Sequence, residues 1–142
     1  MNCGSHESFL INTLQFADKH LGFQPLLRSA ATGLGALAVS GRESALVALL
    51  DIGIPSRDPT RAPVALAVAT TALRNSRLML TALGSYPDRA GALALLAEGF
   101  DMLEEDFEKE RFFALARRTY WASAEGSLGR RVMESLIAGL DF

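Results

Sequence analysis

Apolar positions recur along this chain at helical spacing, and glycine or proline marks the breaks. Leu10, Leu14, Ala17 and Leu21 fall at i, i+4, i+7 and i+11, one stripe of an amphipathic helix. Ser5 or Ser8 is placed to cap its start and Gly22 to end it. Pro25 opens the next segment, and Leu26 to Val39 is rich in Ala and Leu although it contains Gly33 and Gly35. Interior glycines cost a helix roughly 1 kcal/mol each against alanine, which is tolerable where a neighbouring helix packs very close. Ser40-Gly41 breaks the pattern. Glu43–Ile52 then places Leu46, Leu49 and Leu50 on one face, with Gly53 in the position that ends many helices by turning left-handed. A proline-punctuated loop follows, and Pro63 suits the first helical residue of Val64–Leu73. Asn75-Ser76 turns the chain into Arg77–Leu83. Asp88 is placed to cap Arg89–Glu98, which closes at Gly99. Asp101 with Glu104 three residues on resembles a capping box. Arg111–Ala124 is helical, Glu125-Gly126-Ser127 turns, and Leu128, Val132, Leu136 and Leu140 form a last stripe. Sparse β-branched residues and the lack of steady alternation argue against a sheet.

Three segments align without gaps: Leu49 to Pro55, Leu95 to Asp101 and Ser135 to Asp141. Each has leucine three residues before a glycine (Gly53, Gly99, Gly139), an apolar residue after it, and Pro or Asp next. Each reads as a helix whose leucine faces the core and whose glycine stops it, making Leu50, Leu96 and Leu136 buried equivalents. Leu34-Gly35-Ala36-Leu37-Ala38, the turn at Gly41, and Leu46 to Gly53 are similar to the inner helix, turn and outer helix of ankyrin repeats. Ala62-Pro63-Val64-Ala65-Leu66-Ala67 resembles that family's Thr-Pro-Leu-His-Leu-Ala start, with Ala62 and Ala65 replacing its Thr and His. The resemblance covers residues 26–142, closest over 34–69. It implies an all-α domain of stacked helix pairs, ankyrin-like or of another α-solenoid kind, with residues 1–24 as an N-terminal capping helix. A non-repeating bundle is the other all-helical arrangement.

A length of 142 residues suits one domain with an ordinary core. The composition, 49% hydrophobic and 21% charged, is globular. A net charge of −2 gives no electrostatic footprint for nucleic acid. No apolar run reaches a membrane span, and the first residues lack the pattern of a signal peptide. The single cysteine, Cys3, has no intrachain partner, which fits a reducing, cytoplasmic setting. Basic charge is almost all arginine, Lys19 and Lys109 excepted; with the abundant Ala, Leu and Gly this suggests a bacterial source.

Candidate chemistry is thin. His6 and His20 lack motif partners, and Gly33-Leu34-Gly35 lacks the context of a phosphate loop. No metal, cofactor or catalytic group is therefore expected. The acidic run through Glu98, Asp101, Glu104, Glu105, Asp106, Glu108 and Glu110 lacks the loop pattern of a cation site. It is either a solvated helix face or part of a partner surface. Arg117, Tyr120 and Trp121 lie close by in sequence, and aromatics with arginine are enriched in interface hot spots. Tyr120 and Trp121 also suit core positions of a helical face. The expectation is a non-catalytic protein-interaction module, serving as an adaptor, a toxin-neutralising protein or a secretion chaperone. Its partner face is expected to join Asp101, Glu104, Glu105 and Glu108 to Arg117, Tyr120 and Trp121. A small helical enzyme or ligand-binding domain with a site between helices is the alternative.

Overall fold

The computed structural model describes residues 3–20, 24–103 and 106–140, with backbone alone at 3, 4, 24, 106–108, 128, 129, 132, 136, 139 and 140. Among them are α1 (Cys3–Lys19), α2 (Gln24–Val39), α3 (Glu43–Gly53), α4 (Arg61–Arg74), α5 (Ser76–Ser85), α6 (Arg89–Met102), α7 (Asp106–Ala122) and α8 (Leu128–Leu140), and no strand. The 3.6-residue stripes of α1 and α3 are used as the sequence predicts. Leu10, Leu14 and Ala17 of α1 and Leu46, Leu49 and Leu50 of α3 are all buried. Leu21 and Gly22 lie outside the described residues, as do the side chains of the last stripe, Leu128, Val132, Leu136 and Leu140.

The helix ends are made by identifiable groups. At the end of α2, Gly41 has φ +112, its N–H donates to Ala38, and Arg42 N–H donates to Leu37. That pair of bonds is the Schellman motif, and its left-handed residue is cheapest as glycine. Asn75 Oδ1 accepts from Leu78 N at 3.3 Å to start α5, while its Nδ2 donates to Val39 O at the end of α2. Asp88 Oδ1 accepts from Gly91 N at 3.0 Å to start α6. Two arginines work backwards. Arg61, first residue of α4, donates through Nη1 to Gly53 O and Ile54 O at the end of α3. Arg89, first residue of α6, donates to Leu83 O and Gly84 O at the end of α5.

Several boundaries correct the sequence reading. Gly99 does not stop α6, which continues to Met102, and α8 runs through Gly139 to Leu140. Gly53 and Gly99 are not in the left-handed region either. They are buried because another helix leaves no room for a Cβ. One at Gly53 would meet Val64 Cγ1 at 2.6 Å, and one at Gly99 would run into the carbonyl oxygen of Ala65 and meet Ala69 Cβ at 2.7 Å. A glycine forced by close approach and a glycine forced by a helix stop look alike in sequence. Asp101 is in the last turn of α6, so it caps no following helix; Glu104 lies outside the described residues. Ser5 and Ser8 are inside α1, and Pro63 is the third residue of α4, still in the first turn where its missing N–H costs nothing.

α4 is the centre of the molecule, packing on α2, α3, α5, α6 and α7. Its buried residues are mostly small: Ala65, Ala67, Ala69, Thr71 and Ala72 beside Val64 and Val68. Gly35 faces Ala67, where an added Cβ would sit 3.3 Å from the alanine Cβ. Small residues on both partners let these backbones approach at Gly35, whereas Gly33 gives room to the side chain of Leu10 in α1. Helices α2, α4, α6 and α8 neighbour one another in chain order, and so do α1, α3, α5 and α7. Phe100 of α6 and Phe112 and Phe113 of α7 form a ring cluster with centroids 5.7–6.1 Å apart.

Candidate functional site

At 100° per residue, α7 has two faces. Phe112 and Ala116 point into the core and are fully buried. Arg111, Ala114, Leu115 and Arg118 share the opposite face, and Trp121 continues it, three residues beyond Arg118 and seven beyond Ala114. Trp121 is 73% exposed. Tyr120 is half-buried and meets it edge-on, with ring centroids 5.0 Å apart. Ser127 accepts from Arg130 N at 3.2 Å and so starts α8. That places the Arg130 guanidinium 4.4 Å from the Tyr120 ring centroid and 5.3 Å from that of Trp121. A guanidinium held over two rings is a cation–π arrangement. Arg130 was not singled out as an aromatic partner from the sequence, because its contact crosses the α7–α8 turn.

The other expected site residues separate into groups. Arg117 is exposed, with Nη2 3.5 Å from Glu110 Oε2. Asp101 is exposed at the end of α6. Glu104, Glu105 and the side chain of Glu108 lie outside the described residues. Along α7, position 108 stands roughly 18 Å from position 120, at 1.5 Å per residue. Positions 106, 108 and 110 of the acidic run and the aromatic pair therefore occupy opposite ends of α7, while Asp101 belongs to α6. Glu98, from the same run, is engaged elsewhere: Arg61 grips it through Nε–Oε2 at 2.6 Å and Nη2–Oε1 at 3.0 Å.

Two features were not visible in the sequence. The first is a trough of about 370 Å³ between α2 and α4, floored by Gly35, Ala36, Val39 and Ala67 with Pro63, Leu66 and Thr70 along it. Its apolar character follows from the same small residues that bring the two helices together. The second is a cleft of about 980 Å³ where α4 ends, α5 begins and α7 passes, edged by Arg74, Arg77, Arg111 and Arg118 over Val39, Leu73 and Leu115. Trough and cleft share Val39 and Arg74.

Titratable groups away from these surfaces serve the fold. Glu7 of α1 is buried and its Oε2 accepts from Arg42 Nε at 2.9 Å. Ser44 beside it, then Arg42, hold its carboxyl below the ordinary 4.5 against the opposing effect of burial. Tyr86 donates to Asp51 Oδ1 at 2.6 Å, and its hydroxyl pKa is raised, first by burial and then by that carboxylate. His20 stacks on Phe16 at 4.2 Å, with Nδ1 2.9 Å from Phe16 O. Among the described residues, no three His, Cys, Asp or Glu side chains converge as metal ligands would. No described helix is long and apolar enough to cross a membrane.

No protein family, curated protein or solved structure matches this chain.

Proposed function

We propose that the chain is a non-catalytic protein-interaction module built of stacked helix pairs, ankyrin-like or of another α-solenoid kind. The succession of neighbours supports the stack: α2, α4, α6 and α8 in one series, α1, α3, α5 and α7 in the other. In such a stack one series lines a binding face. The observation that carries the interaction reading is Trp121. It is 73% exposed, yet held in an ordered group with Tyr120 and Arg130. Exposed aromatic surface prearranged with arginine is the composition that concentrates binding energy in interfaces. In a bacterial cytoplasm such a module serves as an adaptor, a toxin-neutralising protein or a secretion chaperone. The test is quantitative capture from the native cell by wild type and by Trp121→Ala, with helicity checked in each. A protein retained by wild type and lost with Trp121→Ala is expected. If everything wild type retains is retained equally by the variant, the reading fails.

The trough between α2 and α4 favours a second reading, a ligand-binding domain. Its volume of about 370 Å³ falls at the low end of small-molecule pockets. A Thr70→Trp variant that fills it should abolish saturable binding of an apolar dye if the trough takes small molecules. Unchanged dye binding, or none by wild type, removes that reading.

A further inference from the structure

We propose that the cleft edged by Arg74, Arg77, Arg111 and Arg118 is the docking site for an acidic segment of a protein partner. The proposal rests on the protein-interaction reading above and names the chemistry of the partner.

The four guanidiniums come from three helices, and more than thirty residues of sequence separate the pair Arg74 and Arg77 from the pair Arg111 and Arg118, yet they edge one cleft. All four residues are exposed, and none of their guanidiniums makes an ion pair or hydrogen bond with a described residue. Four arginines elsewhere in the fold are used, unlike these: Arg42 holds Glu7, Arg61 holds Glu98 and two carbonyls, Arg89 holds two carbonyls, and Arg130 covers two rings. No described carboxylate lines the cleft. Arg77 sits in the first turn of α5, where the helix dipole disfavours a cation and favours an anion. Four like charges and a helix N-terminus raise the local positive potential in a chain whose net charge is −2. A bound polyanion relieves both costs.

Three observations select an acidic protein segment among polyanions. Arg111 and Arg118 are two helical turns apart, roughly 10 Å, so the charges are spread beyond the reach of a single phosphate. The cleft has an apolar floor and opens into the apolar trough through Val39 and Arg74, which suits a chain presenting apolar side chains beside its carboxylates. Trp121 stands on the same face of α7 at its exposed end, adding the kind of aromatic contact that a peptide uses. A nucleic acid would instead have to approach a molecule that, outside this cleft, is more acidic than its net charge shows.

The test uses the full chain and a fluorescein-labelled hexaglutamate peptide followed by anisotropy, at low and high salt. Wild type is compared with Arg111→Glu/Arg118→Glu and with a control of equal charge change, Arg57→Glu/Arg131→Glu, at exposed positions outside the cleft. Helicity is checked for each. The expected result is salt-dependent binding that falls about tenfold or more in the cleft variant and under about twofold in the control. Absence of binding by wild type, or equal loss in both variants, overturns the assignment. So does a single-stranded oligonucleotide or pyrophosphate that binds more tightly than the peptide at the same salt. The Trp121-dependent capture experiment reads out separately, so a partner captured there with no peptide binding here leaves the interaction reading standing and removes only this one.

Discussion

The crossing of α4 with α6 and the attachment of α7 to α6 join helices in opposite ways. At the first, Gly99 lies against Ala65 and Ala69, and the backbones themselves touch. Nothing longer than a methyl group separates them. At the second, Phe100, Phe112 and Phe113 meet ring to ring and hold the helices apart by the breadth of their side chains. The crossing has no room for an added atom at Gly99. The aromatic attachment concentrates its burial in a few large residues and leaves one face of α7 toward water, with Arg111, Arg118 and Trp121 on that side. The surface available for recognition thus arises where the joint is made by few, large groups.

Substitutions can break this contrast. Phe112 is fully buried and is the largest such side chain. Phe112→Ala should cost about 3–5 kcal/mol in urea unfolding, with proteolysis near residues 123–127 rising more than elsewhere. Leu96→Ala and Leu50→Ala, also fully buried, should cost roughly 2–5 kcal/mol without that local sensitivity. If Phe112→Ala unfolds the chain without exposing that turn first, the two joints are not energetically distinct. Next in size is the crossing itself. Gly99→Ala must displace a backbone carbonyl and should cost about 1–3 kcal/mol. Gly35→Ala faces only Ala67 Cβ at 3.3 Å and should stay within about 1 kcal/mol, because alanine also favours the helix. Equal melting temperatures for the two variants would show that the α4–α6 approach is not the tighter.

Much of this helical order is legible in the sequence, and the failures have a common cause. Stripes such as Leu46, Leu49 and Leu50 are local, and so are the caps at Gly41, Asn75 and Asp88. Gly99 and Gly53 were misleading because the reason for them is a second helix, at Ala65 or Val64, distant in the chain. For the site, the pattern on α7 was readable as aromatics beside arginine, and Trp121 proves to be at the surface rather than in the core. The arginine cleft was not readable, since Arg74 and Arg77 meet Arg111 and Arg118 only after α4, α5 and α7 are packed.

Smaller effects sharpen the comparison at its edges. Glu7 has a lowered pKa, so its contribution is fully present above the ordinary 4.5 and is lost as pH falls through the folded-state value. Glu7→Gln should therefore cost about 1–2 kcal/mol near neutral pH, as for a hydrogen bond to a charged partner, and the difference from wild type should shrink on acidification. A gap that is constant from neutral to acid pH would show that the charge of Glu7 contributes nothing. The smallest change in stability belongs to Trp121→Ala, within about 0.5 kcal/mol for an exposed residue. A larger loss in calorimetry would mean that Trp121 and Arg130 hold α8 onto α7 rather than stand ready for a partner.

Arg61 and Arg89 have a consequence for how the chain reaches this state. Each closes a ring of only five to eight residues between the end of one helix and the start of the next. Closing so short a ring restricts little of the chain and is fast compared with assembling distant helices. These reversals of direction can therefore form from neighbouring residues alone, and the later search is over how a few preformed turns come together. Added length between Gly53 and Arg61 enters that cost only through the logarithm of the ring size. The loops closed by arginine are thus where this architecture absorbs insertions most cheaply, while the crossing at Gly99 absorbs none.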